Sequence, residues 1–148
     1  VFVQKKHVAT WVRDQLEREG VPCADIHGDR SQGQREKALA RFRAGEIEVL
    51  VATDVASRGI DVPQVAHVVQ FDLPVSRDEM DTYLHRIGRT GRAGRSGKAT
   101  ALFVPGDAPK VGNAALWPDL VRLLDDNQQP VPPWFAACDP HGAAHGAA

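Results

Sequence analysis

The chain has 148 residues, of which 43% are hydrophobic and 25% are charged, and its formal net charge is −1. These values are ordinary for a globular domain with a real core, and they exclude a protein that binds nucleic acid through bulk positive charge. No apolar run is long enough to span a membrane, and the VFV start followed by lysines is unlike a signal peptide. Because the first residue is not Met, we expect a fragment or an isolated domain of a longer protein.

The two cysteines, Cys23 and Cys138, do not form a disulfide framework, so a reducing compartment, either cytosol or nucleus, is expected. Cys138, His141 and His145 offer only three potential metal ligands, in Ala/Gly-rich sequence without a fourth. We therefore predict no metal site.

Short strands alternate with helices along the chain. The apolar run IEVLVAT lacks polar alternation, which is typical of a parallel strand that is buried on both faces. The predicted strands are Val1–Val3, a short strand within Val21–Ile26, Ile47–Thr53, Val65–Phe71 and Lys98–Val104. The predicted helices are His7–Glu19, Gln34–Arg43, Asp78–Arg86 and Leu116–Asp126.

This alternation predicts a single α/β domain with a mainly parallel sheet over residues 1–127. The Pro-rich stretch Gln128–Trp134 is expected to leave the domain, so that residues 128–148 form an exit and a disordered tail. Ligands of such sheets gather at the loops that follow the carboxyl ends of the strands. Here those loops are His27–Gln32, Asp54–Asp61 and Asp72–Ser76.

The stretch Tyr83–Gly97 reads YLHRIGRTGRAGRSG and carries four arginines, at every third position, and no acid. Glycines between the arginines are incompatible with a continuing helix, so we predict a helix that ends near Ile87 and then a turn. Guanidinium forks match phosphate oxygens in pairs, which indicates a polyphosphate or a nucleic acid backbone as the target. The alternative is a solvated basic loop.

Two further stretches follow predicted strands. In ATDVASRGID, Thr53 could donate to a phosphate and Asp61 could accept from a ribose hydroxyl; the alternative is that Thr53 or Asp54 caps a helix. In IHGDRSQGQR, Gln32 and Arg35 lie one turn apart at a helix start, where an anion is favoured. The alternative is that Ser31 is simply the N-cap.

His85–Arg92, HRIGRTGR, resembles the last motif of the DEAD-box RNA helicases. Related families such as the DEAH group usually carry Gln at the position of His85. ATDVASRGID resembles motif V of that family, and the HGD…QxxR pattern resembles its RNA-backbone element. VFVQ resembles a truncated motif IV, although Gln4 departs from the family pattern. The resemblance covers Val1–Trp134 and implies the second RecA-like domain, a three-layer sandwich. Trp134 after PVPP resembles the Vasa-like subgroup.

The resemblance implies a composite site for ATP, with Mg²⁺ held by a preceding RecA-like domain of the same chain. The implied arginine fingers are Arg89 and Arg92, and the implied ribose contacts are Gly59 and Asp61. The implied contacts to the RNA backbone, which are independent of base sequence, are Gly28, Gln32, Arg35, Thr53 and Arg58. His85 and Arg86 would link the two domains.

The chain contains neither a Gly-rich Lys-Ser/Thr phosphate loop nor a DEAD tetrapeptide. Phosphoryl transfer needs a metal ion and a positioned water as well as arginines, so we expect this chain alone to be inactive. Two alternatives stay open: a non-catalytic module that docks RNA or protein, and a DNA-directed relative. His85 and the HGD…QxxR element favour RNA over DNA.

Overall fold

The computed structural model describes residues 1–57, 65–91 and 94–142. The chain forms two compact units, of which the first comprises Val1–Leu73 and Thr82–Leu102. The second comprises Pro74–Asp81 and Phe103–Ala148. Within the described ranges, no helix has the length and apolar character that crossing a bilayer requires.

The first unit contains a five-stranded sheet in which every pair of neighbouring strands is parallel, in the order β2-β3-β1-β4-β5. The strands are β1 (Phe2–Val3), β2 (Cys23–Ile26), β3 (Val49–Thr53), β4 (His67–Gln70) and β5 (Lys98–Ala101). The predicted α/β class with a parallel sheet is therefore confirmed, and the flanking helices agree with a RecA-like fold.

The helices alternate with the strands as predicted. They are α1 (Lys6–Arg18), α2 (Gln32–Arg43), α3 (Asp54–Ser57), α4 (Met80–Ile87), α5 (Trp117–Asp126) and α6 (Pro133–Ala136). Helix α2 begins two residues before the predicted start because Ser31 and Gln34 form a reciprocal capping box. A 3₁₀ turn, Arg77–Glu79, precedes α4, which therefore begins two residues after the predicted start.

Helices pack against both faces of the sheet. On one face, Val3 and Val51 form a buried cluster with Ala9 and Val12 of α1. On the other face, Ala52 packs with residues of α2, including Ala38. Val51 and Ala52 are neighbours in β3, so they point to opposite faces, and β3 is covered on both sides. This explains why IEVLVAT shows no polar alternation.

Most observed strands are shorter than the predicted ones. Strand β3 begins at Val49 rather than Ile47, because the Pro22 carbonyl accepts from the backbone N–H groups of both Glu48 and Val49 before the ladder starts. Strand β5 ends at Ala101 rather than Val104. The apolar residues at these ends belong to connecting segments, where periodicity alone does not mark a boundary.

In the second unit, helix α6 begins within the Pro-rich stretch that was predicted to leave the domain. Its Phe135 is only 5% exposed and meets the Phe103 ring edge-on at 4.9 Å between centroids. The Trp117 indole N–H donates to the Phe135 carbonyl at 2.8 Å. The aromatic side chain of Phe135 thus anchors residues beyond the Pro-rich stretch within this unit. Of the tail that was predicted to be disordered, residues 143–148 lie outside the described residues.

Candidate functional site

The loop after β2 presents the HGD…QxxR element. Ser31 is the N-cap of α2, as the structural alternative predicted: its hydroxyl accepts from the Gln34 N–H, and the Ser31 N–H donates to the Gln34 amide oxygen. Gly28 and Gln32 are exposed, and the Gln32 amide donates to Glu36 at 3.2 Å. An added Cβ on Gly28 would meet no atom within 4 Å, so the space above Gly28 is open.

Arg35 is held by a main-chain contact from the same loop. Its Nε–H donates to the carbonyl of Arg30 at 3.2 Å, and the residue is half-buried. The capping box and this contact use different groups, because Gln34 caps the helix while Arg35 reaches back to the loop. Arg35 is thereby oriented on the first turn of α2, where the backbone also favours an anion.

A buried carboxylate lies beneath this loop. Asp25 of β2 is 6% exposed, and the Arg30 guanidinium donates to both of its oxygens, at 3.0 Å from Nε and 2.9 Å from Nη2. The Thr10 hydroxyl donates to the same carboxylate at 3.0 Å, and Arg13 Nη1 donates at 3.3 Å. His27 Nε2 lies 3.2 Å from the carboxylate. These contacts join α1 to the loop.

The partners of Asp25 compensate for its burial. Burial raises the pKa of the Asp25 carboxyl, but the hydrogen bonds from Arg30 and Thr10 and the charges of Arg13 and Arg30 outweigh it and leave the pKa lowered. On the exposed side of the loop, the hydrogen bond from Lys6 lowers the pKa of Asp29. The loop is therefore tied to α1 by ionised pairs at two points.

At the end of β3, Thr53 is buried, with 6% of its surface exposed. Asp54 follows as the first residue of α3, and its carboxylate accepts from Arg86 Nε at 2.7 Å and from Arg86 Nη2 at 2.5 Å. Arg86 Nη1 also donates to the Asp72 carbonyl at 2.7 Å and to the Gln70 amide oxygen at 3.1 Å. The loops after β3 and β4 therefore meet at one guanidinium.

Arg86 is 2% exposed and its guanidinium carbon lies 5.5 Å from the centroid of the Phe2 ring. Every nitrogen of the guanidinium donates to a partner in the first unit. Arg86, which was predicted to link two domains, thus forms these hydrogen bonds within the first unit. His85, its neighbour on α4, is exposed.

The predicted turn follows directly after α4, which ends at Ile87 as expected. The Thr90 hydroxyl donates to the Val65 carbonyl at 2.5 Å and so fastens the turn beside the start of β4. A Cβ on Gly97 would lie 2.0 Å from the Thr90 hydroxyl oxygen and 2.4 Å from the Gly91 nitrogen. Gly91 itself has φ +68°, which disfavours any residue with a side chain. The two ends of the turn therefore touch, and this contact requires glycine.

Arg89 is half-buried and lines a cavity of about 230 Å³ on the sheet, together with apolar residues such as Phe2, Phe42 and Val68. Arg86 instead contacts Asp54 and Asp72 at the carboxyl ends of the strands. The two arginines thus have different described surroundings. Arg58, Gly59, Asp61 and Arg92 lie outside the described residues.

Two groups of residues around the site were not singled out from the sequence. Gln70, Asp72 and Asp54 hold Arg86, and Asp25 with Thr10 holds the loop after β2. One signal was available for the second group: Asp25 interrupts the apolar strand CADI, and a carboxylate in a buried strand requires cationic or hydrogen-bonding partners. Nothing comparable marks the partners of Arg86, which are distant in sequence.

Comparison with known families gives a match over most of the first unit. The family described as helicase conserved C-terminal domain matches residues 1–94. The chain is 49% identical to the E. coli DEAD-box protein SrmB, solved with regulator of ribonuclease activity A, over 68% of this chain and 58% of that one, with a TM-score of 0.62. It is 31% identical to the yeast DEAD-box splicing factor Prp28 over 93% of this chain and 30% of that one, with a TM-score of 0.79.

The C-terminal domain of the DEAD-box protein Dbp5 is 35% identical, with 85% of this chain and 67% of that one covered and a TM-score of 0.67. A variant of S. cerevisiae Dbp5 solved with RNA and ADP BeF3 is also 35% identical, over 84% of this chain and 30% of that one, with a TM-score of 0.65. The chain thus spans less than two thirds of the SrmB chain and about a third of the Prp28 chain and this longer Dbp5 chain.

Proposed function

Since the chain belongs to the helicase conserved C-terminal domain family, we propose that it is the C-terminal half of an ATP-dependent DEAD-box RNA helicase. The proposal is carried by one observation: the HRIGRTGR stretch ends a helix at Ile87 and enters a glycine turn, within the region that the family matches. We place the protein inside the cell, in cytosol or nucleus. Trp134 after PVPP supports the Vasa-like subgroup.

RNA is proposed to bind by its backbone along the carboxyl ends of β2 and β3. Gly28 and Gln32 are exposed there, and Arg35 is oriented by the Arg30 carbonyl. Thr53 and Arg58 complete the proposed contacts. These groups would contact phosphate and sugar rather than bases, so binding independent of base sequence is expected. The relative Dbp5, which was solved with RNA and ADP BeF3, supports this choice of ligands.

ATP is proposed to bind between this half and a preceding RecA-like domain, which would hold the Mg²⁺ ion. The chemistry of the donor set fits the nucleotide, because the stretch Tyr83–Gly97 is rich in guanidinium forks and contains no acid. In this proposal Arg89 and Arg92 donate to the γ-phosphate as arginine fingers, and Gly59 and Asp61 face the ribose. Bound ATP supplies the phosphoanhydride that is hydrolysed. Arginine fingers contribute roughly 10³–10⁵ to the rate.

Two residues of α4 are given different roles. His85 is exposed and is proposed to contact the preceding domain. Arg86 is proposed to support the same link from within this half, where it holds the loops after β3 and β4 together through Asp54 and Asp72. This would keep the proposed RNA contact at Thr53 and the turn that carries Arg89 in a fixed relation.

The test is RNA-stimulated ATP hydrolysis by this chain joined to the first domain of a DEAD-box helicase. Arg89→Ala and Arg92→Ala are compared with Arg122→Ala, which removes an exposed arginine of α5 in the second unit. Each finger variant should lower kcat by at least about 100-fold while RNA binding is mostly retained. The Arg122→Ala control should hydrolyse ATP like the unaltered protein.

Unchanged turnover in both finger variants would overturn the assignment. The arginine turn would then be a surface that docks RNA or a protein partner. Loss of turnover together with equal loss of RNA binding would also contradict it, because fingers act on the hydrolytic step rather than on RNA affinity.

A further inference from the structure

The carboxylate of Asp25 stands on a rigid base. Asp25 belongs to β2, which pairs with the neighbouring strand β3 over its whole length. From α1, the Thr10 hydroxyl and Arg13 Nη1 donate to the carboxylate at 3.0 and 3.3 Å. His27 Nε2 lies 3.2 Å from the same group and 3.1 Å from the Thr10 hydroxyl. The carboxylate is thus fixed by both the sheet and a helix.

Arg30 transmits this fixed position to the loop. Its guanidinium donates through Nε and Nη2 to the two oxygens of Asp25, which is the planar two-point geometry that only arginine provides. The side chain is therefore occupied inside the protein. The main chain of the same residue supplies the carbonyl that accepts from Arg35 Nε at 3.2 Å. A continuous chain of hydrogen bonds runs from Asp25 through Arg30 to Arg35.

We propose that Asp25 and Arg30 are positioning residues for Arg35, which they hold so that its terminal guanidinium nitrogens face the backbone of a single-stranded RNA. This inference rests on the proposed function, since it takes RNA as the ligand of Arg35. Asp25 and Arg30 do not contact RNA themselves. The Nε–H of Arg35 is used inside the protein, which leaves its two NH₂ groups for one phosphate.

The geometric part is tested in the 148-residue chain by NMR of the arginine side chains. In the unaltered chain the Arg35 Nε–H, bonded to the Arg30 carbonyl, should give a resolved signal that exchanges slowly with water. Asp25→Asn and Arg30→Lys should both collapse this signal, because each alters one side of the two-point contact. Lysine keeps the charge of Arg30 but cannot form the fork. The capping-box amide of Gln34 should remain in both variants and reports that α2 is folded. An unchanged Arg35 signal in both variants would overturn the proposal.

The functional part uses titration of the same chain with an oligouridine RNA, at temperatures where each variant is folded. Asp25→Asn removes a negative charge, so electrostatics alone would tighten RNA binding. Positioning predicts the opposite result: Kd should rise about fivefold, equivalent to about 1 kcal/mol. The magnitude of the negative slope of log K against log[salt] should also decrease by about 0.7, which corresponds to the loss of one phosphate contact. Tighter binding with an unchanged slope would contradict the proposal.

Two reference variants separate this inference from the proposed function. Arg35→Met should reproduce the loss of RNA affinity, whereas Arg41→Met, which removes a half-buried arginine at the other end of α2, should not change the slope. If the unaltered chain binds no RNA but the Arg35 signal collapses in Asp25→Asn and Arg30→Lys, the proposed function is wrong, whereas the positioning of Arg35 by Asp25 and Arg30 is supported. If Arg35→Met weakens RNA binding but Asp25→Asn and Arg30→Lys do not, the positioning role is wrong and the proposed function is supported.

Discussion

The Arg86 guanidinium forms a two-point salt bridge with the Asp54 carboxylate, with Nε–Oδ1 at 2.7 Å and Nη2–Oδ2 at 2.5 Å. The arginine side chain is 2% exposed and that of the aspartate is 29% exposed. The pair joins the HRIGRTGR stretch to the residue that follows β3. It fixes α4, and thus the start of the arginine turn, to the carboxyl edge of the sheet.

Replacing Arg86 with Met should lower the free energy of unfolding by about 3 kcal/mol, because Asp54 and the Asp72 carbonyl would lose a buried cationic partner. Urea unfolding measures the loss. Arg77→Met is the matched control, since Arg77 makes the same two-point contact with Asp119 but at an exposed site. The control should lose far less stability. Equal losses in the two variants would show that Arg86 is not a structural hub.

Gly28→Ala tests whether a ligand approaches the loop after β2 closely. An added Cβ meets no atom within 4 Å, so the melting temperature should not change. In the protein joined to a DEAD-box first domain, we expect RNA affinity to fall about tenfold, or about 1.4 kcal/mol, because the added methyl group would displace the RNA backbone from Gly28. Fluorescence anisotropy with single-stranded RNA measures it. Unchanged affinity would exclude a close contact at Gly28.

Gly97→Ala should open the arginine turn. Its Cβ would lie 2.0 Å from the Thr90 hydroxyl oxygen, so Thr90 or the backbone must shift, at a cost of about 1–3 kcal/mol. Thermal unfolding of the chain measures this cost. Gly33→Ala is the control: it lies in α2 with open space around it, and alanine there should stabilise the helix by up to about 1 kcal/mol. A stabilising Gly97→Ala would contradict the described contact between the ends of the turn.

Stability of the 148-residue chain should rise between pH 6 and pH 8. Burial lowers the pKa of the Val1 amino group from 8.0 to about 6, while its nitrogen donates to the Leu50 carbonyl at 2.8 Å. Between these values the unfolded chain binds more protons, so stability falls as pH falls toward 6, by up to about 3 kcal/mol. Urea unfolding at each pH measures the slope.

An N-terminal extension provides the control for this pH dependence. Val1 would then carry an ordinary amide N–H, which makes the same hydrogen bond to Leu50 without titrating. The slope between pH 6 and 8 should flatten in the extended chain. A slope of equal size in both chains would assign the effect to another group.

The fold was predictable because its main signals are local. Apolar residues at four-residue steps, Val8, Val12 and Leu16, predict α1, and all three pack at one cluster beside Val3. The run before Thr53 predicts a buried parallel strand, and β3 lies between two other strands. The helix end at Ile87 followed from the glycines after it. In each case the residues that decide the structure lie within one element.

The surroundings of the charged residues were not predictable in the same way. Arg86 is one of four evenly spaced arginines, and its partners Asp54 and Asp72 lie 32 and 14 positions away. Only the folded sheet, in which β3 and β4 flank β1, brings them together. Likewise, Phe135 follows a Pro-rich stretch that predicts an exit, and its burial depends on Phe103 and Trp117. Contacts between residues that are distant in sequence do not produce a periodic pattern in the sequence.

The position of β1 has a consequence for folding during synthesis. The first strand of the chain lies between β3 and β4, and Phe2 pairs with Ala52 on one side and with Gln70 on the other. Strands β2 and β3 are able to pair as soon as Thr53 has left the ribosome, but the centre of the sheet stays open until Gln70 emerges. The growing chain must therefore keep β1 unpaired on one side during that interval, and it closes the sheet around β1 only afterwards.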